Sequence, residues 1–226
     1  MTPQQIPLDL AGEPSFGRED FLVSPSNAKP WALFENWPDW PDRILALVGP
    51  SGSGKTHLAS IWAARAAALV LRADRLGREA SESASQAGAA LVEDADRALG
   101  PEADLFHFLN RARAENIYVV FTARTPPDAW RLQTPDLVSR LRQAPIVLIG
   151  EPDEALMRAV LVKLFVDRQL LVDVSVVEFV ALRLERSLDA ARRFVEALDH
   201  EALARARAVT RPLAADVLRR MESAAG

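Results

Sequence analysis

The stretch Gly49-Pro-Ser51-Gly52-Ser53-Gly54-Lys55-Thr56 carries the residue types that could hold a phosphate chain. Glycine has no Cβ, so Gly49, Gly52 and Gly54 let successive backbone N–H groups turn inward around phosphate oxygens. A helix beginning at about Lys55 adds its own unpaired N–H groups and the positive end of its dipole. Lys55 supplies a point charge for the β- and γ-phosphates, and the Thr56 hydroxyl is a ligand for Mg²⁺. Ser51, Ser53 and the adjoining His57 are the further nucleotide-binding candidates of this loop. The spacing matches G-x-x-x-x-G-K-[ST] in full. A chance glycine-rich turn is the alternative, but such a turn needs no buried strand before it and no helix after it.

Holding a nucleotide is one task, and switching it needs acids and arginines. Leu91-Val-Glu93-Asp94 ends an apolar run. There Glu93 would lie near the metal and Asp94 would orient an attacking water. A solvated strand end, where acids are common, is the alternative, and Glu93 is longer than the aspartate usual at such a position. Arg140, in Pro135-Asp-Leu-Val-Ser-Arg-Leu141, fits an arginine finger, a guanidinium offered to the γ-phosphate of a neighbouring subunit. Its alternative is one more surface arginine in an arginine-rich chain. Arg192 is a second candidate, able to reach phosphates held by its own chain, and Arg193 and Arg186 compete with it.

The elements that must position these residues follow from periodicity. Ile44–Val48 reads as a fully buried strand, and an apolar-periodic helix spans about Lys55 to Ala68. Further strands are expected at Leu69–Arg72, Ala89–Glu93, Ile117–Thr122 and Ile146–Ile149, with helices near Glu102–Glu115 and Asp136–Arg142. The small-residue stretch Ala80–Ala90 is expected to be a loop. Strands alternating with helices imply right-handed βαβ units and a parallel sheet covered on both faces. After Gly150 the pattern turns helical: Asp153–Arg168, Ser175–Glu185, Leu188–Arg207 and Pro212–Met221. Leu188, Ala191, Val195, Leu198 and Ala202 step by three and four, one stripe of a helix. The expected organisation is a flexible tail over 1–15, an α/β nucleotide-binding domain over 16–150 and a small helical lid over 151–226.

Composition narrows the function further. The chain has 226 residues, a net charge of −4 and no cysteine, which removes disulfides and Cys-ligated metal sites. His57, His107 and His200 are too scattered to suggest a metal centre. From Glu151 onward there are 13 acids and 12 bases, without the basic excess that phosphate neutralisation requires. Direct, strong DNA binding is therefore disfavoured. No apolar run reaches the length of a membrane span, and the N-terminus has no secretory pattern, so a cytoplasmic protein without a membrane partner is expected.

Three stretches resemble the AAA+ module of the bacterial replication initiator DnaA: Gly54-Lys-Thr-His-Leu58, Phe21-Leu22-Val23-Ser-Pro-Ser-Asn27-Ala, and Ser139-Arg140. The similarity runs from about Phe21 to Asp199 with the order of boxes preserved. The DNA-binding domain that DnaA carries is not expected after the helical lid. Its tail, Gln5-Ile6-Pro-Leu8-Asp-Leu10, resembles the peptide by which proteins dock on the sliding clamp. The tail's alternative is three chance apolar residues. That layout is similar to the Hda family, which binds ADP, joins the DNA-loaded clamp (the polymerase β subunit) and provokes hydrolysis of ATP held by DnaA. The resemblance implies an adenine pocket at Phe21, Leu22, Val23 and Asn27. It makes Arg140 the finger inserted into the DnaA–ATP site and Arg192 the sensor-2 arginine. ADP or ATP is the implied cofactor, with Mg²⁺ at Thr56 and Glu93. DNA contact would be mainly indirect, and a homodimer stays open. The strand end Thr122-Ala-Arg124 departs from the family's pattern, so bound ADP as a structural cofactor fits better than turnover. Two readings compete: an AAA+ ATPase acting as a helicase or transposition loader, and a DnaA-like initiator fragment that binds DNA.

Overall fold

The computed structural model describes residues 17–97, 99–205 and 208–225. Five strands form one parallel sheet: β1 (Ile44–Val48), β2 (Leu69–Arg72), β3 (Ala89–Glu93), β4 (Tyr118–Ala123) and β5 (Ile146–Leu148). Their order is β2-β3-β4-β1-β5. Every residue of β1 is buried, as a strand inside a parallel sheet must be when helices cover both faces. The outer strands alternate instead. Leu69 and Leu71 turn inward on β2, whereas Ile146 and Leu148 on β5 are exposed on either side of buried Val147. The register sets Val48 opposite Ala123 of β4 and Leu148 of β5, and Val92 opposite Phe121. The carboxyl ends of β1, β3 and β4 therefore reach one rim, and the candidate residues follow those ends.

The α/β fold expected from the sequence is present. Helices α1 (Ala28–Glu35), α2 (Lys55–Ala66), α3 (Arg78–Ala87), α4 (Glu102–Ala114) and α5 (Pro135–Arg142) accompany the sheet. The tryptophans before β1 anchor α2. Trp40 stacks on buried Trp62 with ring centroids 5.4 Å apart, and its Nε1 donates to Leu33 O at 2.8 Å. One expectation is overturned: the small-residue stretch 80–90 is not a loop, because α3 runs through it to Ala87 and β3 begins at Ala89. Its inner face is built from Ser81 and Ala84, which let the helix approach closely but leave no large apolar periodicity to read. Alanine favours helix, and Gly88 (φ 72) ends it in the left-handed conformation.

Among the described residues, 23–152 form one compact unit, and 17–22 with the residues from 153 onward form another. The second unit contains α6 (Glu154–Asp167), α7 (Val174–Ala181), α8 (Leu188–Arg205) and α9 (Arg211–Ala225). Ala191, Val195, Leu198 and Ala202 form the expected buried stripe of α8, beside Phe194. Asp153, Asp173 and Ser187 accept amide hydrogen bonds near the starts of α6, α7 and α8, the chemistry that makes Asp and Ser favoured caps. The helix expected to run to Glu185 stops at Ala181, where the Arg183 and Leu184 amides both turn back onto Val180 O.

Candidate functional site

The loop after β1 is gripped from both neighbouring strands. Gly49 N–H donates to Ala123 O at 3.1 Å. A Cβ on Gly49 would stand 2.3 Å from Ile149 O, so only glycine passes here. Gly52 (φ 68) and Gly54 (φ 94) both occupy the left-handed region, and Gly54 leads directly into α2. Lys55 is buried, and its Nζ donates to Gly49 O at 2.8 Å and Pro50 O at 2.7 Å, which closes the ammonium over the loop. Ser53 is 2% exposed and its Oγ has no hydrogen-bond partner. Ser51 and Thr56 are exposed, while His57 is buried on α2. A cradle of this kind, at a helix N-terminus with an ammonium beside it, fits the phosphates of a nucleotide. Gly49 and Ser51 to Thr56 would hold them.

β4 separates β1 from β3, so Glu93 stands two strand spacings, about 10 Å, across the sheet from the loop strand. Burial, followed by the neighbouring charge of Asp94, raises the Glu93 pKa above the ordinary carboxylate value. Asp94 takes φ 51, a left-handed conformation that aspartate tolerates. Its N–H donates to Thr122 Oγ1 at 3.1 Å, and Ala95 N–H donates to Thr122 O at 2.9 Å. Buried Thr122 thus stitches the end of β3 to β4. Asp96, which sequence reasoning passed over, does the same one turn later. Its Oδ2 accepts from Arg124 N at 2.9 Å and Thr125 N at 3.2 Å, while its other oxygen is buried without a partner. The only sequence signal for it is the acid spacing Glu93-Asp94-Ala-Asp96. Among the described residues no three acids and histidines gather as a metal site. A Mg²⁺ here would instead be carried by phosphate oxygens with Thr56 and Glu93.

Arg140 stands on α5. Its Nε donates to Asp136 Oδ2 at 3.1 Å, and its guanidinium lies 5.1 Å from the Phe106 ring centroid on α4. The side chain is 35% exposed, so the guanidinium is held on a platform and still faces solvent. The sequence singled out Arg140 but not its supports, because Asp136 is a routine i, i+4 partner and Phe106 lies on another helix.

The remaining candidates are divided between the two units. Val23 is half exposed, and Asn27 is buried with its Oδ1 accepting from Ser24 N at 2.8 Å. Both belong to the α/β unit, whereas Phe21, Leu22 and Arg192 belong to the helical one. Arg192 lies 3.7 Å from Asp189 on α8. Gln5, Ile6, Leu8 and Leu10, the candidate clamp peptide, lie outside the described residues.

A family model described as an AAA domain matches residues 44–163, just over half of the chain. No curated protein matches the sequence. Among solved structures, domain III of the replication initiation protein DnaA from Thermotoga maritima is similar at 18% identity, with a TM-score of 0.79. That match covers 92% of this chain and 97% of the other. An AMPPCP-bound DnaA from Aquifex aeolicus is similar at 19% identity and TM-score 0.66, over 85% of this chain and 68% of that one. A RuvB from Thermotoga maritima is similar at 14% identity and TM-score 0.64, over 86% of this chain and 67% of that one. At these identities the likeness is one of fold.

Proposed function

This chain belongs to the AAA domain family, and we propose that it is a regulator of replication initiation that binds ADP and stimulates hydrolysis of ATP held by DnaA. The observation that carries this reading is Arg140, a partly exposed guanidinium braced on a short helix of a unit that also builds a phosphate loop. A partner's nucleotide is the chemistry such a group completes. An arginine supplied in trans is worth roughly 10³–10⁵ in hydrolysis rate, or about 4–7 kcal/mol of barrier. One residue therefore suffices to switch DnaA from its ATP form to its ADP form, and the regulator needs no catalytic base of its own. The likeness to DnaA domain III is one of fold, which makes the regulator and its proposed partner modules of related architecture. Bound ADP holds the phosphate loop, and Arg192 serves as the sensor-2 arginine. Recruitment runs through Gln5–Leu10 on the clamp. Burying Ile6, Leu8 and Leu10 yields about 5–9 kcal/mol gross. Holding any six-residue peptide in one conformation on a partner costs a similar amount at about 1–2 kcal/mol per residue. Docking is then effective only when clamp and DnaA are engaged together on DNA.

The test mixes the protein with DnaA–ATP, clamp and DNA, and follows conversion of ATP to ADP. Arg140→Ala abolishes the stimulation and leaves nucleotide binding intact. Gln5→Ala combined with Leu8→Ala weakens it by impairing recruitment. Parental stimulation by both variants, or no affinity of the protein for adenine nucleotides, overturns the reading. The acids at the end of β3 favour a second reading, an AAA+ ATPase acting as a helicase or transposition loader. Intrinsic turnover above about 1 s⁻¹ without clamp binding decides for it.

A further inference from the structure

An arginine acts on a partner's nucleotide only as well as its helix is aimed. α5 has eight residues, too few to hold its own conformation or direction without tertiary ties. Its start lacks the usual means of closure. The Thr134 side chain makes no capping bond to the helix, and Pro135 at the first turn has no N–H to give. Glu102 of α4 instead holds the segment that leads into the helix: its Oε1 accepts from Gln133 N at 2.6 Å and its Oε2 from Thr134 N, the residue at the helix start, at 2.8 Å. At the other end Arg113 donates through Nη1 to Gln143 Oε1 at 3.0 Å and through Nη2 to Arg140 O at 3.2 Å. That last acceptor is the backbone carbonyl of the arginine itself.

Glu102 and Arg113 are eleven residues apart, three turns of helix, and therefore share one face of α4. Phe106, one turn after Glu102, lies on the same face beneath the guanidinium. The inner side of α5 is closed by Leu137 and Leu141, both essentially fully buried. Packing fixes which side of α5 faces the core, and the two polar ties fix its direction along α4.

We propose that Glu102 and Arg113 are positioning residues for Arg140: gripping the two ends of α5, they set where its guanidinium stands. This rests on the reading of Arg140 as the group offered to a partner's ATP. A displacement of about 1 Å at a reacting centre can cost on the order of 10²-fold in rate. Loss of either grip therefore lowers the rate of hydrolysis, not the affinity of the encounter.

The test titrates Glu102→Gln and Arg113→Ala in the DnaA–ATP, clamp and DNA assay. The expected result is a maximal stimulated rate reduced about ten- to a hundredfold. The concentration giving half-maximal stimulation, and the variants' own ADP affinity, stay within about twofold of the parent. Arg113→Lys, which keeps a charged donor but only one nitrogen in place of the guanidinium fork, recovers part of the lost rate. A raised half-maximal concentration with an unchanged maximal rate would make these residues contacts of the partner and overturn the inference. Parental behaviour of both variants overturns it equally. If Glu102→Gln loses ADP binding through damage to the fold, the Arg113 pair decides. Arg140→Ala run in parallel separates the two levels. Parental stimulation by Arg140→Ala removes the finger itself, whereas its silence beside fully active α4 variants removes only the positioning.

Discussion

At the scale of single residues, the phosphate loop depends on what glycine permits. Gly54 takes φ 94, where an L-residue meets a steric cost of roughly 1–2 kcal/mol. Gly49 faces a harder obstacle, a backbone oxygen 2.3 Å from where its Cβ would stand. The two positions thus predict different outcomes. Gly54→Ala is expected to lower thermal stability by about that cost and to weaken ADP binding. Gly49→Ala should displace β5 from β1 and lower stability further. Thermal unfolding and ADP titration of both variants check the ranking, and equal effects would contradict it. Glu93 and Asp94 show how much a strand end leaves undecided. The sequence marks two adjacent acids, but only the fold shows that one carboxyl is partly desolvated while the other is exposed beside Arg97 at 3.9 Å.

At the scale of elements, α3 and α5 show opposite sides of the same problem. α3 was not visible as a helix because its packing face consists of small residues, whose burial leaves little apolar signal. α5 was visible, but the groups that hold it lie on α4, roughly thirty positions away in the chain. Glu102 makes this tie testable by pH. The Thr134 hydroxyl, with the Gln133 and Thr134 amides, holds its carboxyl below the ordinary value of 4.5. A lowered carboxylate pKa contributes stability at pH above the unfolded value and loses it as pH falls through the folded one. The melting temperature of the parent should therefore exceed that of Glu102→Gln by a constant margin from about pH 7 to pH 5. The margin should close below pH 4.5. A margin that persists at lower pH would mean that the carboxylate charge is not what ties the helix.

At the scale of the whole molecule, two cores carry the stability. The α/β core surrounds buried β1 and β4, and the helical core surrounds Phe194, Leu161 and Leu198. Phe194→Ala leaves a cavity that costs about 3–5 kcal/mol, measurable as a lower unfolding midpoint of the helical unit in denaturant. An unchanged midpoint would show that α8 repacks around the gap. The chain's periodicities were enough to establish most of this architecture: five apolar runs became five strands, and a loop of fixed spacing became a glycine cradle before a helix. Such features are local. A glycine's freedom, a strand's alternation and a helix's stripe are all written within a few residues. The ties between distant positions became legible only once the chain was folded: Asp96 to the Arg124 and Thr125 amides, Thr122 to Asp94, and Glu102 and Arg113 to the two ends of α5. A hydrogen bond needs two groups within about 3 Å, and folding alone determines which distant groups come that close.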